Sequence, residues 1–461
     1  MEHELVFDTD LLERYDVSGP RYTSYPTAPQ FSDSFTEQDY KNAIAESNGD
    51  FLARPLSIYF HIPFCSTVCF YCACNKIVTK DRSKATDYML RLHQEVAMQS
   101  ELFDGDRIVK QLHMGGGTPT FLSQPQLAAL MQHVHSHFPM VDDSVGEYSI
   151  EIDPREANAE MVIFLRDIGF NRISLGVQDL DPVVQRAVNR VQTARQTFDI
   201  IHAARESGFR SISLDLMYGL PHQSVDSFAR TLERVIDTGP DRLSLFNYAH
   251  MPTLFKPQRR IDEANLPDAR TKLAILKQSI EQLQQAGYVY IGMDHFAKPG
   301  DELAVAQREG KLQRNFQGYS TNGDCDLLAM GVTAIGQTRN SFSQNHRELD
   351  DYYAAIDSGH LPILRGMYLS EDDRIRRSVI QELICHFGLD IEKVEKRYAI
   401  RFHDYFSNEL ITLVAMQEDG LLTMHDTSIE VLPAGRLLIR NICMAFDAYL
   451  SDSKQQFSKV I

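Results

Sequence analysis

Short apolar runs alternate with amphipathic segments along the first two thirds of the chain. Six runs rich in β-branched and apolar residues predict buried strands, at 56–64, 108–117, 147–153, 172–178, 211–220 and 241–251. Apolar spacing of i, i+3, i+4 predicts helices between them, near 83–103, 124–138, 159–168, 193–208 and 226–238, and a long helix near 268–287. Strands that are buried on both faces and alternate with helices form parallel sheets through right-handed crossovers. The pattern therefore predicts an α/β fold built on a six-unit parallel barrel or part of one.

The two ends of the chain do not follow this alternation. The prolines in the segment 19–31 exclude a regular helix there, so an irregular arm with one or two helices is expected. The later part is dominated by amphipathic helices, with a small hairpin expected around 418–436. A Gly- and Asp-rich stretch, 292–336, is assigned no regular element. The predicted parts are an N-terminal arm at 1–50, a barrel domain with an extension at 51–365 and a mostly helical C-terminal domain at 366–461.

Charge and cysteine usage narrow the class of protein. The formal net charge of −17 argues against nucleic acid as a partner, because phosphate contacts need a basic face. The N-terminus lacks the apolar region of a secretory signal, and no run is long enough to span a bilayer. Four of the seven cysteines crowd into 65–74, which is unlike a disulfide framework and indicates a reducing compartment. We therefore expect a cytoplasmic protein without a membrane or nucleic-acid partner.

The crowded segment, HIPFCSTVCFYCACNK, follows the first predicted strand. Cys65, Cys69 and Cys72 have the spacing C-x3-C-x2-C, and Cys74 comes two residues later. Soft thiolates bind zinc, Cu(I) or iron–sulfur clusters. A zinc site usually has two separate ligand pairs, and a redox C-x-x-C pair would leave two cysteines unexplained. One compact loop suits three corners of a 4Fe–4S cube, whose fourth iron would stay open as a reaction site.

Polar residues at the ends of other predicted strands are further candidates. The glycine stretch GGGTPT, 115–120, can bring backbone close to a ligand, although a tight turn explains it equally well. Glu151, Gln178 and Asp215 each end or interrupt an apolar run. A polar side chain in such surroundings needs a hydrogen-bond partner or a functional role. For each of the three, a structural hydrogen bond inside the barrel is the alternative to a role in ligand binding. Arg190 could bind a carboxylate with its guanidinium fork or be a surface cation. Cys385 and Cys443 lie on apolar helical faces and are expected in the core; the environment of Cys325 is left open.

The cysteine spacing, its strand context and the aromatic residue before Cys72 resemble the radical S-adenosylmethionine superfamily. The resemblance implies that the open iron chelates the amino and carboxylate groups of S-adenosylmethionine. An electron from the cluster then cleaves the sulfonium and yields a 5′-deoxyadenosyl radical. It also implies that Gly116, Gly117 and Thr118 bind the methionine end of the cofactor. Because the cofactor supplies the radical, no side chain is assigned a catalytic role.

Longer segments extend the resemblance over nearly the whole chain, to the bacterial oxygen-independent coproporphyrinogen III oxidase family. These segments are PRYTSYPTA at 20–28, HIPFC at 61–65, CNKIVT at 74–79, EIDPRE at 151–156, FNYAHMP at 246–252, GMDHFA at 292–297, QREGKLQRNFQGYSTNGD at 307–324 and LLIRNICM at 437–444. The implied reaction is oxidative decarboxylation of two propionates of coproporphyrinogen III to vinyl groups, giving protoporphyrinogen IX in haem biosynthesis. Each round would consume one S-adenosylmethionine, and a small reduced donor such as flavodoxin or ferredoxin would supply electrons. The family also suggests a monomer.

The resemblance further implies a set of residues around S-adenosylmethionine, some serving a second cofactor molecule: Tyr59, Tyr71, Gly116, Gly117, Thr118, Glu151, Gln178, Arg190, Asp215, Ala249 and Ile335. Tyr71 departs from the phenylalanine expected in the family. Cys74 is interpreted as a structural or substrate-side residue, because a fourth thiolate would close the open iron. The arm around Arg21 is a candidate for part of the substrate entrance. Two alternatives stay open: a haem chaperone of the same radical fold, and a radical enzyme acting on another substrate.

Overall fold

A twelve-stranded sheet forms the centre of the fold in a computed structural model that describes residues 5–51 and 53–450. In chain order the strands are β1 Leu56–Ile62, β2 Phe64–Cys65, β3 Ile77–Val78, β4 Val109–Gly116, β5 Glu147–Ile152, β6 Arg172–Gln178, β7 Ser211–Tyr218, β8 Arg242–Asn247, β9 Val289–Gly292, β10 His295–Ala297, β11 Gln313–Asn315, β12 Gly318–Ser320, β13 Asp326–Met330, β14 Ile335–Gln337, β15 Ser341–Asn345, β16 Ile363–Tyr368, β17 Gly388–Asp390, β18 Leu422–Met424 and β19 Ser428–Val431. The α-helices are α1 Thr9–Arg14, α2 Glu37–Asn48, α3 Ser83–Ser100, α4 Gln124–His137, α5 Ala159–Asp167, α6 Pro182–Ala187, α7 Ala194–Glu206, α8 Val225–Ile236, α9 Ala269–Gln285, α10 Glu302–Arg308, α11 Leu349–Asp357, α12 Glu371–His386, α13 Ile391–Tyr398, α14 Phe402–Tyr405, α15 Ser407–Glu418 and α16 Ile439–Met444.

Six consecutive strand–helix units make up the parallel part of this sheet. Strands β1, β4, β5, β6, β7 and β8 are neighbours in that order and run parallel. They are followed in turn by α3, α4, α5, α7, α8 and α9. The two edge strands, β9 and β16, do not pair with each other in the described structure, so the barrel is partial. The α/β partial barrel predicted from the sequence is confirmed, with each strand and helix ending within a few residues of its predicted position.

Local sequence explains these elements. Strand β1 is buried at six of its seven positions, which agrees with its continuous apolar run between two neighbouring strands. Helices α7 and α8 begin at capping boxes. The side chains of Thr193 and Ser224 accept from the amides of Gln196 and Ser227, and their own backbone amides donate to the side chains of those two residues. The helix starts are thereby set at the loops that follow the strands.

The stretch 292–336, for which the sequence predicts no regular element, extends the six parallel strands on both sides. It contains β10, which pairs antiparallel with β8, and β13, which pairs parallel with β1. These strands are only three and five residues long and meet partners far away in the sequence. Their stability comes from that non-local pairing, which local periodicity does not reveal.

The N-terminal arm packs on the C-terminal helices. Tyr22 and Tyr25 are almost fully buried, although both lie in the proline-containing segment. The Tyr22 hydroxyl donates to the Asp447 carboxylate over 2.9 Å, and the amide of Ala448 donates to the Tyr25 hydroxyl over 3.1 Å. The Arg440 guanidinium donates to the backbone carbonyl of Pro20 over 3.0 Å. The arm is therefore a packed part of the fold.

The C-terminal part contains the predicted hairpin, β18–β19, and a third strand, β17, that extends it. Strand β16 spans the predicted domain boundary at 365/366 and pairs with β15 of the main sheet. Cys385 and Cys443 are fully buried, as expected, and Cys325 is also buried. The predicted arm and C-terminal domain include residues 1–4 and 451–461, which lie outside the described residues, as does residue 52. Within the described chain, no helix is both long and apolar enough for a bilayer span.

Candidate active site at the carboxyl ends of the parallel strands

The carboxyl ends of the parallel strands surround a cavity of about 340 Å³. Loops at this end of a barrel carry the functional residues in barrel enzymes. Most of the residues singled out from the sequence line this cavity: Cys65, Cys69, Cys72, Tyr71, Gly116, Gly117, Thr118, Glu151, Gln178, Arg190 and Asp215. They come from five strands and their loops, so the fold brings together residues more than a hundred positions apart.

The cysteine loop is held in shape by its neighbours. Strand β2 pairs with β3, which closes the loop that carries all four cysteines. Cys65 Sγ lies 3.5 Å from the Thr118 hydroxyl oxygen, and the amide of Cys72 donates to the carbonyl of Cys69 over 3.2 Å. The Asn189 side-chain amide donates to the carbonyl of Val68 over 2.8 Å. The loop is thus tied at its start, its centre and its end.

Two arginines face the thiol of Cys69. Arg155 Nη2 lies 3.3 Å and Arg190 Nη1 lies 3.4 Å from Cys69 Sγ. Both guanidinium groups also pair with Asp153, at 2.7 Å and 3.0 Å. Burial favours the neutral form of Asp153, but Arg190 and Arg155 outweigh it and lower the pKa of this carboxyl. The arrangement places positive charge beside a thiolate that would ligate a metal.

The position of Arg190 excludes the surface-cation alternative, since the residue is 7% exposed. Its Nη2 donates to the carbonyl of Gly176 over 2.6 Å, and its Nη1 faces Asp153 and Cys69. Its buried Nε has no hydrogen-bond partner among the described residues. The guanidinium fork is therefore already engaged by the protein, and one buried donor is left for a ligand.

The thiols differ in their surroundings. Burial raises the pKa of Cys65 to about 11. The hydrogen bond with Cys74, and then the ammonium of Lys76, lower the pKa of Cys72 to about 6. The same hydrogen bond raises the pKa of Cys74 well above its usual value. Ionisation for ligation is thus favoured at Cys72 relative to Cys65 and Cys74.

A single metal ion would require side chains that converge on one point. Across residues 5–51 and 53–450, no three His, Cys, Asp or Glu side chains converge as the ligands of one metal ion do. A zinc ion needs sulfur ligands at about 2.3 Å, whereas a cube-shaped cluster holds its thiolates at separate corners.

Glu151 is held at the end of β5 by two donors. The amide of Gly116 donates to its Oε2 over 3.2 Å, and His113 Nε2 lies 3.3 Å from its Oε1. Burial favours the neutral carboxyl, but His113 and the Gly116 amide outweigh it and lower the pKa of Glu151. A Cβ at Gly115 would lie 2.9 Å from the same carboxyl group. Only glycine allows the carboxylate to approach the backbone of β4 this closely.

Gln178 and Asp215 are polar side chains that form few hydrogen bonds with the rest of the protein. Gln178 Oε1 is buried and accepts no hydrogen bond from the described residues, and the residue has a φ of 65° at the end of β6. Asp215 accepts from the Ser174 hydroxyl over 3.2 Å. Burial and the charge of Glu151 raise the pKa of Asp215 to about 6. Both side chains offer oxygen atoms to a ligand in the cavity.

The glycine stretch lies close to the entry of the cysteine loop. A Cβ at Gly117 would lie 2.6 Å from the carbonyl oxygen of Pro63. The backbone amide of Gly117 donates to the carbonyl of Ile62 over 2.8 Å. Gly117 is therefore required by close backbone approach, and the other two glycines by side chains, since a Cβ at Gly115 would meet Glu151 and one at Gly116 would meet the His61 ring. A ligand in the cavity would meet backbone here.

Three residues that the sequence predicts near the cofactor do not line the cysteine cavity. Tyr59 and Ile335 line two adjoining cavities of about 700 and 210 Å³, and Glu151 lines both of these as well as the cysteine cavity. The Tyr59 ring stacks on His113 at 5.8 Å between centroids. Ala249 lines a separate cavity of about 680 Å³ together with Arg21, which pairs with Asp294 at 2.9 Å.

Asp153, Arg155 and Lys76 are site residues that the sequence reasoning did not single out. Asp153 and Arg155 both occur in EIDPRE, directly after a predicted strand. A carboxylate and an arginine at the end of a predicted strand are the feature of the sequence that could have indicated them as site residues. Their link with Cys69 depends on contact across three strands, which spacing alone does not show.

Comparisons with known proteins agree with this geometry. A family model described as the Radical SAM superfamily matches residues 59–235, and a model of the HemN C-terminal domain matches residues 369–438. The partial parallel barrel is thus that of a radical S-adenosylmethionine protein. Membership of this superfamily implies a 4Fe–4S cluster and S-adenosylmethionine.

More similar relatives narrow the class. The oxygen-independent coproporphyrinogen III oxidase of Pseudomonas aeruginosa is 52% identical over 456 residues, with 99% of each chain covered. The Escherichia coli protein of the same name is 50% identical over 460 residues, also covering 99% of each chain. A solved structure of coproporphyrinogen III oxidase (HemN) from Escherichia coli superposes with a TM-score of 0.92 and 49% identity, covering 97% of this chain and 100% of that one. The chain belongs to the oxygen-independent coproporphyrinogen III oxidase family.

Proposed function

We propose that this protein decarboxylates two propionate side chains of coproporphyrinogen III without oxygen and forms the two vinyl groups of protoporphyrinogen IX. The observation that carries the proposal is similarity over the whole chain, about half of it identical, to enzymes of that name. A superfamily match alone would leave the substrate open, because a shared fold does not determine what is bound. The match here extends through the N-terminal arm and the C-terminal part, which the superfamily model does not cover.

The donor set of the cysteine cavity fits the cluster. Three thiols, two arginines beside one of them and one thiol with a lowered pKa suit an anionic metal centre. We assign Cys65, Cys69 and Cys72 as its ligands. When bound there with the cluster, S-adenosylmethionine supplies a 5′-deoxyadenosyl radical that removes a hydrogen atom from a propionate. The protein's own groups bind and orient the reactants.

The cofactor site can be divided between two adjoining cavities. We assign Tyr71, Gly116, Gly117, Thr118, Gln178, Arg190 and Asp215 to the molecule beside the cysteine loop. The unpartnered Oε1 of Gln178 and Nε of Arg190 are the polar atoms available to it. Tyr59, Glu151 and Ile335 would serve a second molecule in the adjoining cavity, since they line that space. We also assign Ala249, at the end of β8, to the cofactor site.

The proposed function includes the amount of cofactor consumed, the electron donor, the oligomeric state and the compartment. Two decarboxylations would consume two molecules of S-adenosylmethionine per product. A small reduced protein such as flavodoxin or ferredoxin would supply the electrons. The chain would act as a monomer in the cytoplasm, where four thiols remain reduced.

Anaerobic product analysis tests the proposal. Protein reconstituted with iron and sulfide is incubated with coproporphyrinogen III, S-adenosylmethionine and a reductant, and products are identified by mass. We expect loss of two carboxyl groups, with two 5′-deoxyadenosine molecules formed per protoporphyrinogen IX. Cys69→Ser is the matched control and should form neither product.

The two alternatives give different results in the same assay. A haem chaperone of this fold would bind haem stably and form no vinyl product. A radical enzyme for another substrate would form 5′-deoxyadenosine but leave coproporphyrinogen III unchanged. Either result with fully reconstituted protein would refute the proposal.

A further inference from the structure

The cavity of about 700 Å³ next to the cysteine cavity shares Cys74, Gly116 and Glu151 with it. Ala28 and Pro29 of the N-terminal arm line another part of it. Its volume lies within the range of about 300–1,000 Å³ that is usual for small-molecule sites. The shared lining residues mean that a molecule in this cavity is adjacent to the cysteine loop.

Two arginines line the same cavity at the edge of the sheet. Arg365 lies on β16, opposite Gln344 in the register with β15, and Arg347 follows the end of β15. Glu151 is on β5, separated from β16 in the sheet order by β15, β14, β13, β1 and β4. The cavity therefore has a cysteine side, where Tyr59 and Glu151 would meet the second S-adenosylmethionine molecule, and an arginine side that is left for another ligand.

Neither arginine forms an ion pair with a carboxylate in the part of the chain that the structure describes, although the charge of Asp33 acts on Arg365 from farther away. Arg365 Nε donates to the Gln344 side-chain oxygen over 2.8 Å, and its Nη groups donate no hydrogen bond to the described residues. Burial lowers the pKa of Arg365, and the charge of Arg347 lowers it further. The buried arginines at 107 and 190, in contrast, each pair with an aspartate. Two unpaired guanidinium groups that face one cavity favour an anionic ligand.

We propose that Arg347 and Arg365 bind the carboxylates of the two propionates that remain on the tetrapyrrole throughout the reaction. This inference rests on the proposed function. Coproporphyrinogen III carries four propionates, of which two react and two persist. A reacting propionate must lie on the cysteine side, so the persistent ones can lie on the arginine side. The planar guanidinium fork matches a carboxylate with two parallel hydrogen bonds.

S-adenosylmethionine also carries a carboxylate, so the experiment must separate the two ligands. The probe is coproporphyrin III, the stable oxidised form of the substrate, titrated by fluorescence into the full-length reconstituted protein. Its tetramethyl ester, which lacks the negative charges, is the matched probe. The variants are Arg347→Gln, Arg365→Gln and the charge-preserving Arg365→Lys. Arg339→Gln is the control, because Arg339 pairs with Asp50 and does not line the cavity.

We expect each glutamine variant to bind coproporphyrin III about tenfold more weakly than the wild type. Arg365→Lys should fall in between, and Arg339→Gln should match the wild type. The ester should bind all five proteins equally. In turnover, KM for coproporphyrinogen III should rise while KM for S-adenosylmethionine stays constant.

Two results would overturn the inference. One is a change of less than twofold in coproporphyrin III binding in both glutamine variants. The other is a rise in KM for S-adenosylmethionine alone, which would assign the arginines to the cofactor. Failure of the proposed function would appear separately, as the absence of vinyl product from the wild-type protein.

Discussion

Replacement of Glu95 by glutamine should change how stability depends on pH. Glu95 is fully buried on α3 and accepts three hydrogen bonds, from the Gly331 amide over 2.8 Å, Asn345 Nδ2 over 2.7 Å and the Tyr352 hydroxyl over 2.7 Å. Burial raises the pKa of this carboxyl to about 7, although the three donors favour the charged form. Gly331 begins the turn that leads to Ile335, so the network supports the wall of the adjoining cavity.

The size of the pH-dependent contribution of Glu95 to the free energy of unfolding follows from its pKa. A rise from 4.5 to about 7 corresponds to roughly 3 kcal/mol of differential proton binding. The folded protein holds this proton more tightly than the unfolded chain, so the stabilisation is complete below pH 4.5. It is lost as the pH rises through 7. Glutamine does not titrate, so this part of the pH dependence should be absent from Glu95→Gln.

Urea unfolding followed by circular dichroism at pH 5.5, 6.5, 7.5 and 8.5 measures the effect. The stability advantage of the wild type over the variant should shrink by about 2 kcal/mol across this range. Glu101→Gln, at the exposed end of the same helix, is the control and should follow the wild type. Parallel pH profiles for Glu95→Gln and the wild type would refute the reasoning.

Three further predictions concern the site and its support. Gly117→Ala places a Cβ 2.6 Å from backbone and should weaken S-adenosylmethionine binding in equilibrium dialysis at least about tenfold, whereas Gly105→Ala, with open space around it, should not. Cys74→Ser should retain cluster iron by chemical analysis, and Cys69→Ser should lose it; equal loss in both would make Cys74 a ligand. Asp326→Asn leaves a buried arginine without its partner and should lower the free energy of unfolding by about 3–5 kcal/mol, and a change below 1 kcal/mol would contradict this.

Local sequence patterns predicted the parallel strands and their helices well, because their signals are short-range. Strand β6 has the predicted bounds, and α4 ends one residue before its predicted end. The sequence does not predict β10 and β13, which flank the six parallel strands, because each is stabilised by a partner distant in the chain. The third strand of the C-terminal sheet, β17, was missed for the same reason.

In the candidate site, too, local features were predicted from the sequence and contacts between distant segments were not. The cysteine spacing predicts the cluster ligands, and the whole-chain resemblance predicts the residues near the cofactor. Neither reveals that Arg155 faces Cys69, or that Arg190 pairs with Asp153. Those contacts join loops that follow different strands.

Thiol spacing and strand-end polar residues are local properties, so the amino-acid sequence indicates the chemistry that the chain can support. Which of these residues share a cavity is known only from the folded structure. It placed Tyr59 and Ile335 beside the cysteine cavity and Ala249 in a separate one. It also placed Arg347 and Arg365 on one wall. The reason is that strand order in the sheet, and the curvature of a barrel that does not close, arise from pairing across the whole chain.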